Sequence, residues 1–262
     1  EFGIVSTVIA GSLFFSGLLI FGMDQAVARW FFDLKENNIE YQKKIVSIGF
    51  AVHVIAIIFF SFLFFFFNNE LGLLILDDEN ILNYWIIYMI SLPGMSLILF
   101  SKNLLKWTFQ RNKYIYLTVG NSVTTLILTI FLLLYLSDEK IIGVLLAPLV
   151  SNTIFSIIGI YLISNYLKFK NNFDLKIAKE MTVYAIPLIF VMMLSSFIPA
   201  FDKLYLIRYE SFDVIGDYST ALKICGLLYL ITNAFQISFG PYAYENWHKD
   251  QSKNLYGDIM II

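Results

Sequence analysis

The clearest chemical pattern in this sequence lies in its last long apolar stretch. Ser219, Lys223, Gly226, Asn233, Gln236 and Gly240 recur at steps of three, four or seven, which sets them along one helical face. Lys223 stands out because a charge inside a membrane span costs roughly 2.5–3.5 kcal/mol on insertion scales. Either it meets protein or water in a cavity, or it reaches back to headgroups at the near end of the span; the polar company on its face favours the cavity. Asp202 and Lys203 follow Pro199 at the end of the preceding stretch. They read either as an interfacial pair or as a cavity-lining pair that moves during gating. Asp24 and Arg29 lie near the end of the first stretch. Five residues apart, they are poorly placed to pair as i,i+4 neighbours. Arg29 either marks the aqueous boundary or offers its planar guanidinium to a phosphate, and Asp24 joins Asp202 as a candidate for gating or coupling.

Other polar positions read more simply. Thr118, Ser122, Thr125 and Thr129 form a hydroxyl stripe, and Asn152, Ser156 and Gly159 share a side of the next stretch. Small and hydroxyl residues in lipid more often pack helices together than bind substrate. His53 is isolated within a span and His248 lies in the tail. No metalloprotease, nucleophile-elbow or phosphate-loop motif occurs. Asp77-Asp78-Glu79 lacks the spacing of a metal loop and reads as a solvated segment, so neither a metal nor a cofactor is expected. The single cysteine, Cys225, closes no internal disulfide and is expected to be a small core residue.

These residues need a membrane scaffold to position them. The 262-residue chain is 58% hydrophobic and 15% charged, with a mean hydropathy of +0.72. Several apolar runs reach the ~20 residues that cross a bilayer core. They far exceed the short alternating strands of a barrel, so an all-α, multi-pass transmembrane bundle is predicted. Seven spans are expected at 4–29, 45–67, 83–105, 114–136, 143–165, 180–205 and 214–240, and residues 258–262 open a further run. Pro93-Gly94, Pro148, Pro187 and Gly240-Pro241 are expected to interrupt or end spans. The phenylalanine-rich run 59–67 reads as lipid-facing bulk. Trp30, Trp85, Trp107 and Trp247 all fall near span ends, where indole prefers to sit.

Charge sets the orientation. Segments 29–44, 101–114 and 166–180 and the tail hold fourteen of the eighteen Lys and Arg residues, whereas segments 68–82, 137–142 and 202–217 hold three and are rich in acids. The basic side is therefore cytoplasmic, the first residue starts outside, and a preceding helix is expected. The net charge of −2 gives no electrostatic case for nucleic acid. Segment 167–179 is the most hydrophilic connector and the expected boundary between a five-span bundle, 1–166, and a second bundle, 180–262.

Three stretches carry a family resemblance. They are Phe21-Gly22-Met23-Asp24-Gln25-Ala26-Val27-Ala28-Arg29-Trp30, the pair Asp202-Lys203-Leu204-Tyr205 and Gly216-Asp217-Tyr218-Ser219-Thr220-Ala221-Leu222-Lys223, and Phe239-Gly240-Pro241-Tyr242. In order and spacing they resemble the bacterial oligosaccharide flippases of polysaccharide biosynthesis, relatives of the multidrug and toxic compound extruders. The resemblance implies a partial two-lobe flippase-like fold holding helices two to eight of twelve or more. It implies translocation of undecaprenyl-pyrophosphate-linked oligosaccharide across the bacterial inner membrane by alternating access, for O-antigen or capsule synthesis, alongside membrane lipids and other polysaccharide assembly proteins. Arg29, Lys203 and Lys223 become candidate anion contacts, with Asn233 and Gln236 as further substrate-binding candidates. A drug or cation extruder, which would favour intramembrane acids such as Asp24, is the alternative. A membrane glycan polymerase or ligase would be expected to carry a long catalytic outer loop, and the outer loops here are short.

Overall fold

The computed structural model of the chain describes residues 1–32, 39–76, 81–136, 139–168 and 173–227, together with Thr232, Phe235 and Phe239. Among the described residues every regular element is helical: α1 (Phe2–Ile20), α2 (Met23–Phe31), α3 (Ile39–Phe66), α4 (Asn68–Leu76), α5 (Leu82–Trp107), α6 (Arg111–Tyr135), α7 (Lys140–Ile163), α8 (Leu175–Leu206) and α9 (Phe212–Cys225). Six helices or helix pairs are long and apolar enough to cross a membrane, α1 and α2 counting as one. The seventh expected span begins as α9. Asn233, Gln236, Gly240-Pro241, Trp247 and the run at 258–262 lie outside the described residues.

Three expectations need correction. The first span is not one continuous helix. Phe21 and Gly22 both take left-handed backbone conformations, with φ of 56° and 62°, and split it into α1 and α2. Pro93, Pro148 and Pro187, by contrast, stay inside continuous helices α5, α7 and α8. A proline removes one backbone donor, and neighbouring helices let a span tolerate that loss; two consecutive left-handed residues redirect the chain itself. The acidic segment after α3 also contains a short helix, α4, where a plain loop was expected.

Packing forms two apolar layers. One layer gathers Met23, Val27 and Phe31 of α2, Ile45 and Ile48 of α3, Leu104 and Leu105 of α5, and Met181 and Ala185 of α8. The other gathers Val8, Phe15 and Leu19 of α1, Phe64 of α3, Leu76 of α4, Trp85 and Leu92 of α5, and Leu145 of α7. Close approach relies on small residues, as expected where lipid supplies no hydrophobic drive. A Cβ on Gly94 of α5 would stand 3.0 Å from the Asn152 carbonyl oxygen of α7. Of the hydroxyl stripe, Ser122, Thr125 and Thr129 bond back to their own helix. Asn121 crosses to α7, donating to Asn152 at 3.2 Å and accepting from Ser151 at 2.6 Å. Phe59, Phe62, Phe65 and Phe66 are exposed along α3, consistent with lipid contact.

The hydrophilic connector is fastened to α3 on either side of 169–172. Lys168 pairs with Glu40 at 2.8 Å, and Lys44 pairs with Asp174 at 3.0 Å. Ser47 Oγ accepts the Lys168 backbone N–H at 2.7 Å. Asp174 also caps α8 by accepting from the amides of Lys176 and Ile177.

Candidate functional site

The break at Phe21–Gly22 creates a fresh helix N-terminus within a span, and Asp24 occupies the first turn of α2. Asp24 is 4% exposed. Its Oδ2 accepts from Asn103 Nδ2 at 2.7 Å and from Gln25 Nε2 at 3.2 Å. Its Oδ1 has no hydrogen-bond partner among the described residues, and the carboxylate lines a crevice between α2 and α5 too narrow for water. The peptide dipoles of α2 converge on this end and favour negative charge there. Discontinuous span helices with polar side chains at the break mark binding sites in many transporters.

Asp24 and Arg29 do not pair, as their spacing predicts. Arg29 is exposed, with its guanidinium carbon 4.5 Å from the Tyr184 ring centroid of α8 and 5.2 Å from that of Trp30. The break also explains His53. Its Nδ1 lies 3.1 Å from the Ile20 carbonyl at the end of α1, and its Nε2 lies 3.3 Å from Ser96 Oγ of α5. The histidine is a buried bridge between three elements.

The remaining expected cations sit at the other end of the bundle. Lys223 Nζ stands 4.2 Å over the Phe2 ring at the start of α1. Lys203 is half-buried on α8 and close enough to Lys223 for the two charges to repel. Asp202 does not take Lys203 as its partner; it accepts the Tyr218 hydroxyl at 2.7 Å. The rise of α1 is about 27 Å and Arg29 lies about 10 Å further along α2, so whatever the turn at Phe21–Gly22 Phe2 and Arg29 stay more than about 15 Å apart. Arg29 therefore cannot share a phosphate with Lys203 or Lys223: the structure brings the latter two together and keeps Arg29 apart. Cys225 is exposed, not a core residue, because it lies on the side of α9 away from Ile215, Gly216 and Ser219, which pack inward.

Sequence reasoning missed Asn103, Gln25, Lys102 and Lys106. Lys102 and Lys106 were placed in a connector, but α5 runs on to Trp107 and presents both lysines, half-buried, on the helix itself. The available signal was spacing: Met95, Leu99, Lys102 and Lys106 continue one helical face.

The family described as polysaccharide biosynthesis protein matches residues 1–243. The chain belongs to that family. No curated protein and no solved structure matches it. Membership of the polysaccharide biosynthesis family, together with the multi-span helical bundle, fits a membrane transporter rather than an enzyme.

Proposed function

We propose that this chain is part of a flippase that moves undecaprenyl-pyrophosphate-linked oligosaccharide from the cytoplasmic to the outer leaflet of a bacterial inner membrane, by alternating access between two helix bundles, 1–166 and 180–262, joined by the cytoplasmic connector 167–179. The observation that carries this reading is the family match over residues 1–243 on a bundle whose cations gather at both ends. Arg29 at the cytoplasmic end and Lys203 with Lys223 at the outer end supply separate stations for a lipid pyrophosphate at the start and finish of its path. Asp24 and Asp202 are the groups for gating or coupling. Asn233 and Gln236 follow Lys223 at helical spacing in the sequence and are the proposed contacts to sugar hydroxyls. The products would be O-antigen or capsular repeat units, handed on to other polysaccharide assembly proteins.

Deletion of the full-length gene in its native host tests the reading. Loss of surface glycan, with complete lipid-linked repeat units accumulating on the cytoplasmic leaflet, is the expected result. Unchanged surface glycan in a strain with no redundant flippase overturns it. The buried, partly unpartnered carboxylate of Asp24 favours a second reading, a drug or cation extruder, because an intramembrane acid suits a cationic substrate. New drug sensitivity with intact glycan would select that reading.

A further inference from the structure

We propose that the groove between α3 and α5, beside the start of α4, holds a phospholipid of the surrounding bilayer whose headgroup ends in an ammonium. One acyl chain lies in the groove and the headgroup rests at Asn68, Asn69 and Glu70. This lipid is a resident of the protein and not its cargo, so the inference goes beyond the transport reading and does not depend on it.

The first observation is the groove itself. It encloses about 450 Å³ and is walled by Phe64 and Phe65 of α3 and by Ile86, Met89, Ile90 and Pro93 of α5. Among the described residues no charged side chain lines it. From Ile86 to Pro93 it follows α5 for about 10 Å. Both helices are long and apolar enough to cross a membrane, and Phe65, Ile86 and Ile90 are exposed, so the medium at its mouth is hydrocarbon. Behind Phe64, Phe15 of α1 packs edge-on to it at 4.9 Å and to Trp85 at 5.9 Å, so a packed aromatic layer backs the groove. An apolar cavity of about 150 Å³ already takes a benzene ring; a space three times as large takes most of an acyl chain.

The second is a hydroxyl without a partner. Ser61 borders the groove near the end of α3. Its Oγ is buried and makes no hydrogen bond among the described residues. Ser47 on the same helix folds back onto the Lys43 carbonyl at 2.7 Å, an arrangement open to any helical serine. A buried hydroxyl left unpaired is costly, and the ester carbonyl at the head of an acyl chain supplies the missing acceptor. The depth agrees. Ser61 stands about 7 Å inside the end of α3 at Phe66, and the headgroup layer of a bilayer is roughly 5–7 Å deep.

The third is charge at the rim. Asn68 and Asn69 line the groove, and Glu70 follows them, exposed, in the first turn of α4. Segment 68–82 holds four acids, and no Lys or Arg occurs between Lys44 and Lys102. An anionic headgroup therefore finds no cation on the stretch of chain that forms the groove, whereas an ammonium finds a carboxylate beside two amide side chains able to donate to phosphate or ester oxygens.

The test is lipid retention by the purified, delipidated full-length protein, read by native mass spectrometry. The probes are phosphatidylethanolamine, phosphatidylglycerol and undecaprenyl phosphate, the first two with identical chains. Phosphatidylethanolamine should be retained at least about threefold above phosphatidylglycerol, and Glu70→Gln should bring the two toward parity. Ser61→Ala should weaken phosphatidylethanolamine about three- to tenfold, the size of one hydrogen bond, and Ser61→Thr should restore it. Ile90→Trp, on an exposed position that tolerates bulk, should fill the groove and abolish the bound lipid, whereas Ile55→Trp, equally exposed on α3 but outside the groove, should leave it. Equal retention of the two phospholipids by the parent overturns the ammonium headgroup, and full retention by Ile90→Trp overturns the site. Undecaprenyl phosphate retained above phosphatidylethanolamine would give the groove to the cargo carrier and sink the proposal. So would a shift in oligomeric mass in Ile90→Trp with lipid retention unchanged, which would give it to a second copy of the chain.

Discussion

Gly22→Ala is the substitution whose cost follows most directly from the fold. Gly22 has φ +62°, and a Cβ there would stand 2.9 Å from the Leu188 Cβ and 3.0 Å from the Ala185 carbonyl oxygen, both on α8. The left-handed conformation alone costs a non-glycine residue about 1–2 kcal/mol. Crowding against helix backbone adds about 1–3 kcal/mol, the usual range for overpacking. Together they predict a loss of about 2–5 kcal/mol, with the penalty concentrated where α2 meets α8. Gly216→Ala is the internal control: it has ordinary helical φ and its new Cβ would meet nothing nearer than 3.5 Å, so stability should hold or rise slightly. Equilibrium unfolding of the full-length protein in micelles, followed by tryptophan fluorescence, compares the two. If Gly22→Ala is no less stable than Gly216→Ala, the account of the break is wrong.

Further outcomes follow from other contacts. His53→Leu should cost about 1–2 kcal/mol in the same assay, because the Ile20 carbonyl loses its partner; an unchanged midpoint would mean that the bridge carries no stability. The Lys44 ammonium, hydrogen-bonded to Asp174, holds that carboxyl below the usual carboxylate range. Its stabilisation is therefore present above the unfolded value near ~4 and is lost as pH falls through the lower folded value. Midpoints measured from about pH 7 to about pH 3 should fall less in Asp174→Asn, which keeps the capping oxygen but not the charge; equal falls would remove Asp174 as a contributor. Asn121→Ala should loosen α6 from α7 by about 1 kcal/mol, since two cross-helix bonds are lost, and double-mutant cycles with Ser151→Ala would show the coupling.

Hydropathy and apolar length made the spans legible, because lipid punishes any unpaired backbone. Those same signals stopped short at α5. Lys102 and Lys106 lowered the local hydropathy and were read as the start of a connector, although the helix continues beneath them to Trp107. The break at Phe21–Gly22 was hidden for the opposite reason: both residues suit an apolar span, and a left-handed turn leaves no trace in composition. Asp24 and Arg29 were singled out as polar residues near a span end. Which partner each would find was not legible, since Asn103 and Tyr184 arrive from elements 79 and 155 positions further along the chain. Arg29, Lys203 and Lys223 were named together as candidate anion contacts; that Lys203 lies near Lys223 and Arg29 far from both required the geometry of the bundle.

Cys225 gives the protein a built-in reporter. It is the single thiol of this chain and it is exposed on α9, two positions beyond Lys223. Only the thiolate reacts with maleimides, and a thiolate forms where water reaches it. Labelling with a membrane-impermeant maleimide would thus proceed quickly if this side of α9 borders an aqueous path and slowly if it borders lipid tails. A change in that rate on adding a lipid diphosphate would follow the movement of α9 in real time, without any engineered residue.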